Sequence, residues 1–182
     1  MVTRMADRSL GWVQNPSDLD RLKRVVSVFI RESTANKELI ERRIPVLVDD
    51  ESLRKMMIDA LSQDVIEIEY SLLKGRGASG GSRREAKCTG IVQAIIPNQS
   101  GRQYTDDWTA DGFLRWAISI GLLDYDRAKD TCKISDLGKE YVLTEDGSEE
   151  EQELLIRAFL SYPPAVRILE LLSEQGHLTK FE

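Results

Sequence analysis

The sequence predicts a mainly α-helical fold with short β-hairpins, in the α+β class. Two observations predict it. Apolar residues recur at helical spacing in several long segments, while only short stretches alternate apolar and polar residues. Across 182 residues, 41% are hydrophobic and 31% charged, a globular composition that excludes a disordered or fibrous chain.

The first helix follows Pro16-Ser17-Asp18. Leu19, Leu22, Val26 and Phe29 keep helical spacing, Val25 and Ile30 widen the stripe, and Ser17 is the expected cap with Asp20 three residues on. Residues 51–62 form the next helix, with Leu53, Met56, Met57, Ala60 and Leu61 inside. Ile66, Ile68 and Tyr70 alternate with Glu67 and Glu69, the pattern of a half-buried strand. Lys74–Arg84 is a basic, glycine-rich loop. Gly75, Gly77 and Gly80 match a dinucleotide fingerprint as bare text. That motif needs a helix opening in the glycines and an acid about 20 residues later, and residues 86–105 hold no acid.

Trp108-Thr109-Ala110-Asp111 opens a further helix, with Thr109 as the expected cap and Trp108 as a staple onto Phe113. Phe113, Leu114, Ala117 and Ile120 form its buried side, and Gly121 ends it. Leu122–Tyr125 and Cys132–Ser135 read as two strands around a polar turn, and Asp136–Lys139 starts another helix. Helix, glycine, hairpin and helix form the layout of a winged helix-turn-helix. In such a module the helix before the hairpin fits the DNA major groove. Glu149–Tyr162 is a helix with acids at its positive end. Pro163-Pro164 breaks the chain, Val166, Ile168, Leu169, Leu171 and Leu172 form an apolar helix, and Gly176 stops it. The expected organisation is a first, winged-helix-like subdomain over 1–148, carrying the basic loop 74–84. A linking helix and the start of a second, similar but truncated subdomain occupy 149–182.

Charge is unevenly placed. The net charge is −6, yet residues 1–48 carry nine Lys+Arg against six Asp+Glu, and residues 74–103 carry six against one. Residues 49–73 carry two against seven, and residues 104–182 eight against seventeen. Two basic segments in an acidic body suit a local phosphate-facing surface if the fold unites them, or else simply solvated loops. Two cysteines, Cys88 and Cys132, and one histidine, His177, provide no disulfide framework, zinc set or nucleophile–histidine pair. The opening MVTRMADRSLGW lacks a signal's apolar core, and no run approaches the roughly 18 residues a membrane span needs. The expected location is a reducing cytoplasm, with no membrane contact. Glu85-Ala86-Lys87 reads as the tail of a nuclease E-x-K motif, with Asp64, Glu67 or Glu69 as its upstream acid, but such triplets recur by chance in a chain this charged.

GWVQNP (Gly11–Pro16), LKRVVSVF (Leu22–Phe29), DDWTADGFLRWAISIGLL (Asp106–Leu123) and SYPPAVRILELLSEQGHLTKF (Ser161–Phe181) resemble the N-terminal DNA-recognition region of the FokI family of type IIS restriction endonucleases. The resemblance implies winged-helix-like subdomains on an asymmetric duplex site of the GGATG type. It also implies a separate C-terminal nuclease domain, outside this chain, that cuts at a distance with Mg²⁺. The chain itself is then non-catalytic, with no cofactor of its own, double-stranded DNA as its partner, and monomeric. The alternative is a stand-alone winged-helix transcriptional regulator.

Carried over by the resemblance, Gln14 and Asn15 are a base-reading pair, against a turn before the first helix. Trp108 and Thr109 stand at the start of the recognition helix, Gln99 is a DNA-facing amide, and Arg83, with Arg84 as its rival, is a base-contacting arginine. Lys23, Arg24, Lys74, Arg76 and Arg102 are phosphate candidates on charge and position. Arg115 points either to phosphate or to Asp111 four residues earlier.

Overall fold

Helix α1 (Leu19–Ser27) is capped by the Asp18 carboxylate, which accepts the Arg21 N–H at 3.1 Å. The expected cap, Ser17, lies outside the described residues. The computed structural model describes residues 18–76, 87–97 and 101–176. The apolar stripe of α1 is fully buried at Leu22, Val25 and Val26, where each side chain contributes about 1.5–3 kcal/mol.

Helix α2 (Thr34–Glu38), a π-helical turn (Leu39–Arg43) and α3 (Ile44–Leu47) form one continuous rod. The turn widens where the Ile44 N–H reaches back to the Leu39 carbonyl. Pro45 follows, with no N–H to continue an α-helical ladder and a ring that crowds the preceding turn. Helix α4 (Glu51–Leu61) matches the predicted helix and buries Met57 and Leu61. Met56, expected inside, is exposed: it adjoins Met57 in sequence, and the narrow buried side of α4 turns away from it.

Strand β1 (Glu67–Glu69) buries Ile68 as alternation predicts, but Tyr70 opens helix α5 (Tyr70–Lys74) and does not extend the strand. Helix α6 (Ile91–Ile95) is the apolar run IVQAI, buried at every position including Gln93. Helix α7 (Asp107–Ser119) leads to β2 (Leu123–Asp126) and β3 (Thr131–Ile134). The strands form one antiparallel sheet in the order β1-β3-β2, with Ile68 opposite Cys132 and Tyr125 opposite Cys132 on the other side. The predicted hairpin is therefore present, and β1 adds to its returning strand.

Helix α8 (Asp136–Leu143) is capped by Ser135 Oγ, which accepts the Gly138 N–H at 2.9 Å. Helix α9 (Glu149–Leu160) is capped by Ser148 and buries Leu155 and Ala158 in the main cluster. Helix α10 (Pro163–Gln175) packs on α9 and ends at Gly176, whose φ of 74° suits glycine. Its Ile168 and Leu169 are exposed, as are Ile156 and Leu160 of α9. Helix α1 lies against α2, α6, α7 and α8, so the core sits between α1 and α7. No helix among the described residues is long and apolar enough to cross a membrane.

Gly138 marks the closest packing of α8. A Cβ there would stand 2.1 Å from the Leu122 carbonyl oxygen, which is backbone and cannot swing away. Gly138→Ala is expected to destabilise the fold by about 1–3 kcal/mol, read as a lower urea midpoint at unchanged slope.

Candidate nucleic-acid interface

Helix α7 is held by all but one stripe of its circumference. Its cap is Asp106, whose carboxylate accepts the Thr109 N–H at 2.7 Å, so Thr109 lies in the first turn and is not the cap expected from sequence. Trp108 does not take the position a staple onto Phe113 needs: with the cap at Asp106 it lies within the first turn of α7 and is 59% exposed. Phe113, Leu114, Trp116 and Ala117 are buried, with Trp116 beside Phe113 and Phe159 at ring separations of 6.1 and 6.2 Å. The helix ends with Gly121 N–H on the Ile118 carbonyl, and the φ of 76° at Gly121 then turns the chain so that Leu122 N–H reaches the Ala117 carbonyl. The hairpin begins at once. Trp108, Gly112 and Arg115 remain at helical spacing along the outward stripe.

Asp111 is buried beside that stripe, and its carboxylate is matched from two helices. Tyr70 Oη donates to Oδ1 at 2.9 Å, Arg115 Nε donates to Oδ2 at 2.6 Å, and Lys74 Nζ stands 4.0 Å from Oδ1. Of the two roles open for Arg115, pairing with Asp111 is the one the side chain takes. Tyr70 also gives its backbone N–H to the Asp130 carbonyl at 2.8 Å, at the end of the hairpin turn. One residue thus ties the hairpin to the helix.

The base of the basic loop is closed by backbone packed on backbone. Gly75, at φ 84°, faces Gly90, where a Cβ would lie 2.5 Å from the Gly75 nitrogen. Thr89 Oγ1 accepts the Arg76 N–H at 2.8 Å and donates to the Arg76 carbonyl at 3.3 Å. The buried Gln93 Oε1 accepts the Thr89 N–H at 2.9 Å. The first glycine of the GxGxxG text therefore ends α5 and locks the loop base; it opens no helix. Lys74 and Arg76 stand at this base, with Arg76 exposed and Lys74 half-buried. Gln14, Asn15, Arg83, Arg84 and Gln99 lie outside the described residues. Arg102 is half-buried at the approach to α7.

Lys23 is placed differently. Its ammonium donates to the Thr144 carbonyl at 2.8 Å, Asp146 at 2.6 Å and Glu151 at 2.8 Å, which accounts for its three protons. Burial by itself would lower its pKa, but the two carboxylates outweigh it and hold the group above its ordinary value. Arg24 is tied to the Ile95 carbonyl at 3.1 Å and Glu38 at 2.5 Å. Arg43 shares Glu38 and also donates to the Ala94 and Gln103 carbonyls. These cations join α1, α2, the π turn and α6, and Lys23 and Arg24 do not gather with Lys74 and Arg76. Sequence gave no signal separating the two groups, since all are basic and polar.

The groups weighed for catalysis are dispersed. Asp64 pairs with Arg31, and Lys87 with Asp49 at 3.1 Å. Glu67 accepts from Thr131 at 2.6 Å and Lys129 at 3.3 Å, bonds that hold its carboxyl below the usual range. Glu85 lies outside the described residues. Burial pushes the Cys88 thiol up to about 11, far from a thiolate at neutral pH. Among the described residues, no group of three or more His, Cys, Asp or Glu is arranged to hold a metal ion.

A model of the FokI recognition domain, subdomain 1, matches residues 8–144. The type II restriction enzyme FokI of Planomicrobium okeanokoites is 44% identical over 176 residues, covering 96% of this chain and 30% of that protein. The type II restriction enzyme StsI of Streptococcus sanguinis is 31% identical over 160 residues, covering 87% of this chain and 26% of that protein. The solved structure of restriction endonuclease FokI bound to DNA superposes with a TM-score of 0.87 at 44% identity, over 94% of this chain and 30% of that one. A further FokI structure gives 0.85 at 43% identity, over 93% and 29%. The chain thus spans less than a third of the relatives it matches. With matched helices, sheet and sequence blocks along nearly its whole length, the chain belongs to the FokI recognition-domain family, as a subdomain 1.

Proposed function

We propose that this chain is the first DNA-recognition subdomain of a type IIS site-specific deoxyribonuclease, read as a winged helix with α7 in the major groove and the β2–β3 hairpin as its wing. The observation that carries this reading is the outward stripe of α7. Trp108 stands exposed there, Arg115 and Lys74 are cationic beside it, and the loop base with Arg76 follows Lys74 directly at the C-terminal end of α5. A helix about 10–12 Å across suits a groove about 12 Å wide. The likeness to a FokI structure bound to DNA supports the same reading.

In this proposal the site is asymmetric and of the GGATG type. Gln14, Asn15, Gln99, Arg83 or Arg84, Trp108 and Thr109 read bases or groove edges. Lys74, Arg76 and Arg102 hold phosphates. Lys23 is not carried forward, because its three donors are occupied within the chain. Arg24 is set aside with it, since Glu38 and the Ile95 carbonyl hold its guanidinium. Cutting belongs to a separate C-terminal nuclease domain that uses Mg²⁺, and this chain contributes no cofactor or catalytic group. Residues 1–148 form the first recognition subdomain. Residues 149–182 lead into a second, whose packing covers the exposed apolar residues of α9 and α10. The chain acts as a monomer in the bacterial cytoplasm.

Trp108→Ala in the full-length protein is expected to weaken cognate duplex binding by about 1–3 kcal/mol. Its melting temperature should stay unchanged, because the indole is exposed. Wild-type affinity in a gel-shift titration would remove Trp108 from the interface. Lys74→Ala and Arg76→Ala should each flatten the plot of log affinity against log salt by about 0.9. Lys23→Ala should leave that slope alone and lower stability by about 1–3 kcal/mol, since it leaves Glu151 partly buried beside the lost ammonium. A changed salt slope for Lys23→Ala would return it to the phosphate set.

A further inference from the structure

Gly112 stands within the 13 residues of α7, where glycine is a poor choice. It loses more backbone freedom on folding than any other residue and leaves the helix main chain open to water. The other glycines packed against this region have an internal reason. A Cβ on Gly90 or Gly138 would collide with backbone at 2.5 or 2.1 Å, and Gly121 needs its φ of 76°. Gly112 has neither reason among the described residues: its φ is not positive, and a Cβ there would meet nothing within 4 Å. Alanine would fit the described chain and strengthen the helix.

The notch lies on the outward stripe, with Trp108 one turn before it and Arg115 nearly one turn after. Arg115 is gripped through Nε at 2.6 Å, so its guanidinium is fixed beside the notch, and Lys74 reaches the same carboxylate from α5. A gap in the side-chain surface, framed by an exposed indole and two cations within a chain of net charge −6, suits a polyanion that must approach the main chain closely.

We propose that Gly112 sets the depth at which α7 seats in duplex DNA. With no Cβ, the sugar–phosphate wall of the major groove reaches the helix main chain, and the one positive charge that Arg115 and Lys74 hold in excess of Asp111 faces it there. This rests on the duplex-recognition reading above. A helix with side chains nearly fills the groove, so one missing side chain on the outward stripe changes how far its neighbours reach. Trp108, on the same stripe, then depends on Gly112 for its depth.

The test compares Gly112→Ala and Gly112→Leu in the full-length protein by thermal melts and by titration with a GGATG-type duplex and a random-sequence duplex. Gly112→Ala is expected to raise the melting temperature by about 2–4 °C, as an open helical glycine should. It should weaken binding to the GGATG-type duplex about tenfold, and Gly112→Leu about a hundredfold, following side-chain size. If wild type binds that duplex and both variants bind equally well, Gly112 has no such role while the recognition reading stands. If Gly112→Ala lowers the melting temperature, the notch is filled by the protein itself and the proposal fails. If wild type shows no salt-dependent duplex binding, the recognition reading fails and this proposal with it.

Discussion

The buried carboxylate of Asp111 is the constraint on which the placement of α7 depends. A carboxylate taken out of water is costly unless its oxygens are matched by donors or charge. Here the matches come from Tyr70 and Lys74 on α5 and from Arg115 on α7 itself. These bonds define where α5 lies against α7. Tyr70 then extends the constraint to the sheet through its N–H on the Asp130 carbonyl. Helix, hairpin turn and loop base are thus held in one arrangement by a residue pair 41 positions apart in sequence.

The cations divide into two populations with different physical roles. Lys23, Arg24 and Arg43 lie where helices meet, each bound to carboxylates or backbone carbonyls, and each satisfies groups that would otherwise be poorly solvated. Lys74, Arg76 and Arg115 lie at or beside the outer stripe of α7 and the loop base. The acidic surplus falls mainly beyond residue 104, including the first turn of α9, where Glu149, Glu150 and Glu151 meet the helix dipole. The net charge of −6 is therefore spread unevenly along the chain.

Much of the local architecture was legible because it is encoded locally. The Gly121 stop and the hairpin after it follow from φ preference and alternation over a few residues, and both stand where the sequence places them. Spacing favours Thr109 as the cap of α7, but Asp106, three residues earlier, is an equally good cap residue and takes the position. Only the packing of Trp116 and Phe113 decides the rotation that leaves Trp108 outside. The helical rod over 34–47 and the short helix IVQAI carried no clear period. One is interrupted by Pro45, and the other is buried on all sides.

The sequence by itself determined the mainly helical class, the positions of the long helices, the hairpin after α7 and the resemblance to a recognition subdomain, because these rest on spacing and on long blocks of residues in order. Tertiary structure decided which basic residues are internal, which face of α7 is outward, and that Gly112 lies open on it. Charge and helical spacing are the same for Lys23 and Lys74 when read along the chain. They differ in how the fold engages them: Lys23 uses all three donors on the Thr144 carbonyl, Asp146 and Glu151, more than 120 positions away, whereas Lys74 stands 4.0 Å from Asp111 beside an outward stripe.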